Sequence, residues 1–182
     1  MQGLLSLSRL IDWFNERVGK AMSWFILAAV IVSSVNACVL FIFSKSSNAW
    51  LELQWYLFGA VVLLAAPYTL KQNEHIRIDI ISSRLAKRTR DQIDVVGHVL
   101  FLGPLCSVML WLGVPFFLRS ISSGEISASA GGLPLWPAKL LVPLGFFLLL
   151  MQGISELIKR VAIMRGEIDD PHAHSGTHGA TG

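Results

Sequence analysis

Charge is distributed along this chain in blocks, and four long stretches have almost none. A helix needs about 20 mostly apolar residues, at about 1.5 Å each, to cross about 30 Å of hydrocarbon. Residues 21–44, 50–70, 94–118 and 135–158 meet that length, so the pattern predicts four membrane-spanning helices. Glu52 then falls at the interface of the second span, and Lys139 is expected to snorkel toward the headgroups at the start of the fourth. Trp24, Trp50, Trp55, Tyr56, Tyr68, Trp111 and Trp136 fall mostly near the expected span ends, as aromatic belts do. Only 15% of the 182 residues are charged, against about a quarter in soluble domains, which excludes an ordinary soluble domain. Cys38 and Cys106 lie inside apolar stretches, leaving no disulfide framework and no zinc spacing. The expected fold is one all-α membrane domain over 1–165, with a flexible tail at 166–182.

Basic residues set the expected orientation. Arg9, Arg17 and Lys20 precede the first span. Lys71, Arg77, Arg84, Lys87, Arg88 and Arg90 fall between the second and third, and Lys159, Arg160 and Arg165 close the fourth. The opposite face has Lys45, Arg119 and Lys139. The positive-inside rule therefore places both termini in the cytoplasm of a bacterial inner membrane. The distribution, rather than the net charge of +3, is what informs, and no nucleic-acid partner is expected. Val35-Asn36-Ala37-Cys38 loosely resembles a lipoprotein cleavage box. The apolar run is long for a signal peptide and continues through Phe43, so the first span is expected to remain uncleaved.

The segments between spans carry more individuality. Leu4, Leu7, Ile11, Phe14 and Val18 recur at helical spacing, with Arg9, Asp12, Asn15 and Glu16 elsewhere around the wheel. This predicts an amphipathic interfacial helix, either a simple anchor or an arm on a partner. Between spans two and three, Ile76, Ile80 or Ile81, and Leu85 suit a short interfacial helix, and Ile76, Ile78 and Ile80 suit a strand equally well. An isolated strand at a membrane surface would leave backbone groups unpaired, so a helix beginning near Asp79, its N-cap, is expected. Between spans three and four, 119–139 is rich in small residues, with Gly131, Gly132 and two prolines, and predicts a close-packed irregular loop on the periplasmic face.

Convergent chemistry is sparse. His98 is the one span histidine, so paired haem ligands cannot come from this chain alone. There is no phosphate loop, nucleophile elbow or zinc motif, and no enzyme activity, metal or cofactor is expected. His172, His174 and His178 read as a solvated tail. Glu52 is the ionisable residue most worth weighing: an interfacial carboxylate bonded to a neighbouring helix, or a proton or ion site. Asp94 and His98 are spaced to pair structurally, and Glu156 with Lys159 and Arg160 reads as an ion-pair cluster. Asn36 is the main polar residue in the middle of a span. Pro67, Pro104, Pro115 and Pro143 allow bends in spans two to four.

Trp50-Leu-Glu-Leu-Gln-Trp-Tyr, Pro67-Tyr-Thr-Leu-Lys and Glu74-His-Ile-Arg-Ile-Asp79 together resemble the small membrane subunit of tripartite ATP-independent periplasmic (TRAP) transporters, the DctQ-like family. Gly124-Glu-Ile-Ser, Ala130-Gly-Gly-Leu-Pro, Trp136-Pro-Ala-Lys139 and the segment from Met151 to Arg160 resemble the branch often labelled mannitol/chloroaromatic. The resemblance covers roughly 5 to 165. It implies a periplasmic binding protein that captures an organic anion, a large elevator-type subunit (DctM-like) that carries it with sodium ions, and a small subunit that braces the elevator. The chain ends without a further span, so a separate large subunit is expected. Glu52, Gln54, Glu74, His75, Arg77, Asp79 and Arg84 are then expected at the partner interface. Arg119, Gly124, Glu125, Gly131, Gly132, Trp136 and Lys139 are expected where the binding protein docks. The alternatives are a membrane anchor of another complex, such as a redox enzyme, and an independent four-helix exporter.

Overall fold

The computed structural model describes residues 2–44, 47–72, 87–129 and 131–166. The helices are α1 (Gln2–Phe43), α2 (Asn48–Gln72), α3 (Lys87–Gly97), a π-helical turn (His98–Leu102), α4 (Gly103–Ser123) and α5 (Trp136–Met164). Four helical stretches are long and apolar enough to cross a membrane: Gln2–Phe43, Asn48–Gln72, Val95–Ser123 and Trp136–Met164. The chain is an all-α, multi-pass membrane protein. The loop segment 73–84, including the helix expected from Asp79, lies outside the described residues, as do the tail histidines.

The amphipathic N-terminal segment and the first span form one continuous helix of 42 residues. At 1.5 Å per residue it is about 63 Å long, about twice the hydrocarbon thickness. Its buried residues Ser8, Asn15, Met22, Ala29 and Asn36 repeat every seventh position, with Ile11 and Gly19 between them. A seven-residue repeat keeps one narrow seam against its neighbours. The seam is largely small and polar, as between helices in lipid, where apolar burial gives no driving force and close backbone approach and hydrogen bonds do. Of the apolar stripe, Leu4, Leu7 and Phe14 are exposed and Ile11 is buried, whereas Ser8 and Asn15 beside it are 1% exposed.

Helix α5 is the axis of the fold. It packs against α1, α2 and α4, and 33% of its most apolar window is buried, against 11% in each of the other three. Met22, Ala60, Leu64 and Leu148 form the apolar centre where α1, α2 and α5 meet. Two glycines set how closely these helices approach. A Cβ at Gly19 would strike the Tyr68 side chain, and one at Gly145 would lie 2.8 Å from the Leu63 Cβ and 2.9 Å from the Leu63 carbonyl oxygen. Pro67 lacks the N–H that would bond to that carbonyl in a regular helix, and α5 packs Gly145 against it.

The third span passes through the π-helical turn. The Gly103 N–H bonds to the His98 carbonyl five residues back, and the widened turn immediately precedes Pro104. A proline there would otherwise bring its ring against the carbonyl of residue 100.

Candidate functional site

Polar side chains gather at two places, one at each end of the bundle. The first is the end that carries the connection between α4 and α5. Helix α4 stops at Gly124, which has φ 58°. The Gly124 N–H reaches the Ile121 carbonyl and the Glu125 N–H reaches the Ser120 carbonyl, each at 3.2 Å. These two bonds are the Schellman closure, which needs a left-handed residue at this position. The chain then turns back on itself through an antiparallel bridge between Ile126 and Pro134. The Ser127 N–H bonds to the Leu133 carbonyl at 3.0 Å, and the Leu135 N–H to the Glu125 carbonyl at 3.0 Å. Gly131 has φ 71°, and a Cβ at Gly132 would strike the Ser127 side chain. The connection is thus a small hairpin-like loop whose tip tolerates little bulk.

Glu52 fixes this loop to α2. Its carboxylate accepts a hydrogen bond from the Ser127 hydroxyl and one from the Leu133 backbone N–H at 2.7 Å. The residue is 9% exposed. Its partners are a loop hydroxyl and a loop amide, rather than a group on a neighbouring helix. One turn further along α2, the Tyr56 hydroxyl donates to the Pro134 carbonyl at 3.2 Å. Lys139, at the start of α5, pairs with Glu125 and stands 4.2 Å from the centre of the Phe116 ring. The Lys139 ammonium holds the Glu125 carboxyl below its ordinary range. Lys139 therefore spends its charge on a loop carboxylate and an aromatic face. Trp136 is exposed beside it, as is Arg119 at the end of α4. Gln54 is half-buried on α2. Glu74, His75, Arg77, Asp79 and Arg84 lie outside the described residues, as does the side chain of Asp94 in the expected Asp94–His98 pair.

The second cluster joins α1 to α5 at the end that carries both termini. Ser8 and Ser155 share a hydrogen bond of 2.7 Å. The Asn15 amide donates to the Gln152 side-chain carbonyl at 2.8 Å. Gln152 in turn donates to Asp12 at 2.8 Å and to Glu156 at 3.0 Å. Asp12 also accepts from the Ser155 hydroxyl at 2.7 Å and pairs with Lys159 at 3.0 Å. Lys159 bridges onward to Glu156. Beside this network Glu16 holds Lys71 of α2 at 2.7 Å and pairs with Lys20. Gln152, Ser155, Ser8 and Asn15 are at most 1% exposed. The sequence marks the Glu156 to Arg160 segment but not its partners, because Asp12 and Asn15 lie outside the apolar stripe of α1 and the spacing alone does not say which helix they face. The seven-residue spacing of Ser8 and Asn15, opposite polar residues at 152 and 155, is the signal that could have located them.

Both clusters are internal staples, in which carboxylates bond to donors within the chain. An open groove of about 430 Å³ lies between the end of α2 and the π-helical turn, lined by Leu70, Ile93, Phe101, Leu102 and Leu105 with Gly97 and His98. Its wall is mostly hydrocarbon, suited to lipid tails rather than to a polar substrate.

Comparison with known families matches residues 41–162 to the DctQ component of tripartite ATP-independent periplasmic transporters. No curated protein matches the chain. The matched region contains α2, the third span, the stapled loop and nearly all of α5, and so includes Glu52 and both of its loop partners. This family consists of transporter components, not enzymes. With well over half of its residues inside the match, the chain belongs to the DctQ component family of tripartite ATP-independent periplasmic transporters.

Proposed function

We propose that this protein is the bracing subunit of a tripartite secondary transporter. It holds a large elevator-type (DctM-like) subunit in place while that subunit carries an organic carboxylate inward with sodium ions. The observation that carries the reading is the rigid tying of α5 at both ends. Asp12, Asn15, Gln152 and Lys159 fasten it to α1, while Glu52 fastens the loop leading into it to α2. A brace needs interhelical bonds that stay made while its partner moves.

In this reading the stapled loop faces the periplasm and both termini face the cytoplasm of the inner membrane, as the basic residues suggest. The loop surface around Arg119, Glu125, Trp136 and Lys139 contributes to the platform on which the substrate-binding protein docks. Glu52, Gly124, Gly131 and Gly132 shape that platform from within. Gln54 on α2 and the segment containing Glu74, His75, Arg77, Asp79 and Arg84 contact the large subunit.

The test is uptake into proteoliposomes. Sodium-driven, binding-protein-dependent uptake that needs both this chain and the large subunit supports the proposal. Equal uptake by the large subunit alone would refute it.

A further inference from the structure

The N-terminal arm of α1 does not project straight out of the bundle. Ser8 meets Ser155 at 2.7 Å and Asn15 meets Gln152 at 2.8 Å. Between those contacts α1 advances seven residues, about 10 Å, while α5 advances three, about 4.5 Å. The arm thus crosses α5 obliquely and stays near one depth. Charge marks that depth: no charged residue falls between Lys139 and Glu156 on α5, or between Glu52 and Lys71 on α2. Gln152 and Ser155 sit in the last turn of the first of these runs, and Glu16 of the arm holds Lys71 at the end of the second. The arm therefore lies along the boundary where hydrocarbon gives way to headgroups.

Around the helix, at about 100° per residue, the side chains of the arm divide into three sectors. Ser8, Ile11, Asn15 and Gly19 are buried against the bundle. About a third of a turn away, Leu7, Leu10 and Phe14 form an exposed apolar stripe. The remaining third carries Arg9 and Lys20, both exposed, and half-buried Glu16. Trp13 and Arg17 fall on the border between the apolar and charged sectors, with the guanidinium 4.9 Å from the ring centre. A helix at the membrane boundary with one apolar and one charged free face fits acyl chains on the first and water on the second. Trp and Arg at the border suit the headgroup layer, each with an apolar body and a polar tip.

The carboxylates of the arm are turned to partners within the chain: Asp12 to Lys159, and Glu16 to Lys20 and Lys71. Arg9 reaches the Ser6 hydroxyl at 3.3 Å, and neither Arg9 nor Arg17 pairs with a carboxylate among the described residues. What the arm offers outward is positive charge beside hydrocarbon, the complement of an anionic phospholipid.

We infer that the arm is a binding surface for anionic phospholipid. Leu7, Leu10 and Phe14 enter the edge of the acyl layer, and Arg9 and Arg17 hold headgroup phosphates. The inference does not rest on pairing with a large subunit; a helix of that subunit or a second copy of this chain are the competing occupants of the stripe.

The test places p-benzoylphenylalanine at Leu10 in the full chain, alone and with the large subunit, in bilayers of equal phosphatidylcholine and phosphatidylglycerol. The same label at Trp111, exposed on the third span, controls for the photochemistry. Position 10 is expected to form lipid adducts in both preparations, with phosphatidylglycerol enriched about fivefold over the bulk. When Arg9→Gln and Arg17→Gln are added, the lipid adducts should persist and the enrichment vanish. Both arginines are exposed, so the melting temperature in detergent should stay at the wild-type value. An adduct of position 10 with the large subunit or a second copy would overturn the inference, as would no adduct where position 111 labels. Lipid adducts without a phosphatidylglycerol preference, or a preference that survives the double substitution, would overturn it equally.

Discussion

Gly145 of α5 rests against Leu63 of α2: a Cβ at 145 would lie 2.9 Å from the Leu63 carbonyl oxygen. Pro67, one turn further along α2, cannot supply the N–H that this carbonyl would receive in an unbroken helix. The proline and the glycine, 78 positions apart, thus belong to one contact. The glycine leaves room for α5 to pack directly over that carbonyl.

Gly145→Ala should therefore destabilise the bundle by roughly 1–3 kcal/mol, the cost of overpacking a close-packed interface. Gly97→Ala is the matched control, since nothing lies within 4 Å of its added Cβ; helix propensity favours it by roughly 0.5–1 kcal/mol. Thermal unfolding in detergent, followed by circular dichroism, should show the first variant melting lower than wild type and the second not.

Replacing Glu52 tests the loop staple. Glu52→Ala removes the acceptor of the Ser127 hydroxyl and of the Leu133 N–H and leaves both donors unpaired near the interface. Hydrogen bonds to a charged acceptor contribute about 1.5–3 kcal/mol each, so the loop should detach locally while the helices stay folded. Hydrogen exchange provides the measurement: the Leu133 amide is expected to lose protection at least tenfold, with α1 and the centre of α5 unchanged.

The loop should also respond to acid through Glu125. Lys139 holds its folded-state carboxyl below the ordinary range. The pair therefore contributes its full stabilisation above the unfolded pKa, about 4.3, and loses it as pH falls through the lowered folded value. Protection of amides 125–135 should stay level from about pH 7 to pH 5 and decline below about pH 4. In Glu125→Gln the part of that decline due to this pair should vanish, and an unchanged acid response would refute the assignment.

Breaking the Asp12 and Lys159 pair should free the N-terminal arm. Asp12→Ala removes the acceptor of Gln152, Ser155 and Lys159 while Lys159 keeps Glu156, so it is expected to cost about 1.5–3 kcal/mol. The double variant Asp12→Ala with Lys159→Met should cost less than the sum of the two, with a coupling of about 0.5–3 kcal/mol. Trypsin cleavage at Arg9 and Arg17, both exposed on the arm, should accelerate in the single variant and partly recover in the double.

Charge-free length alone gave four spans, because no other structure hides so many apolar residues in so short a chain. The Trp50 to Tyr56, Pro67 to Lys71 and Glu74 to Asp79 motifs gave the family that the match over residues 41–162 establishes. What the sequence could not decide was which side of α1 faces inward. Periodicity marks Leu4, Leu7 and Phe14 as an apolar stripe, and in water such a stripe is buried. Next to lipid the outside is itself apolar, so helices join through small and polar residues, and Ser8, Asp12 and Asn15 turn toward α5 instead. Likewise the sequence marked Glu52 as a carboxylate needing a partner, but its partners lie 75 and 81 positions away. Only the path of the loop between α4 and α5 brings them together. Composition and spacing fix how many helices cross; which faces meet is decided by where the hydrogen bonds of buried polar groups can be completed, and that is a property of the assembled bundle.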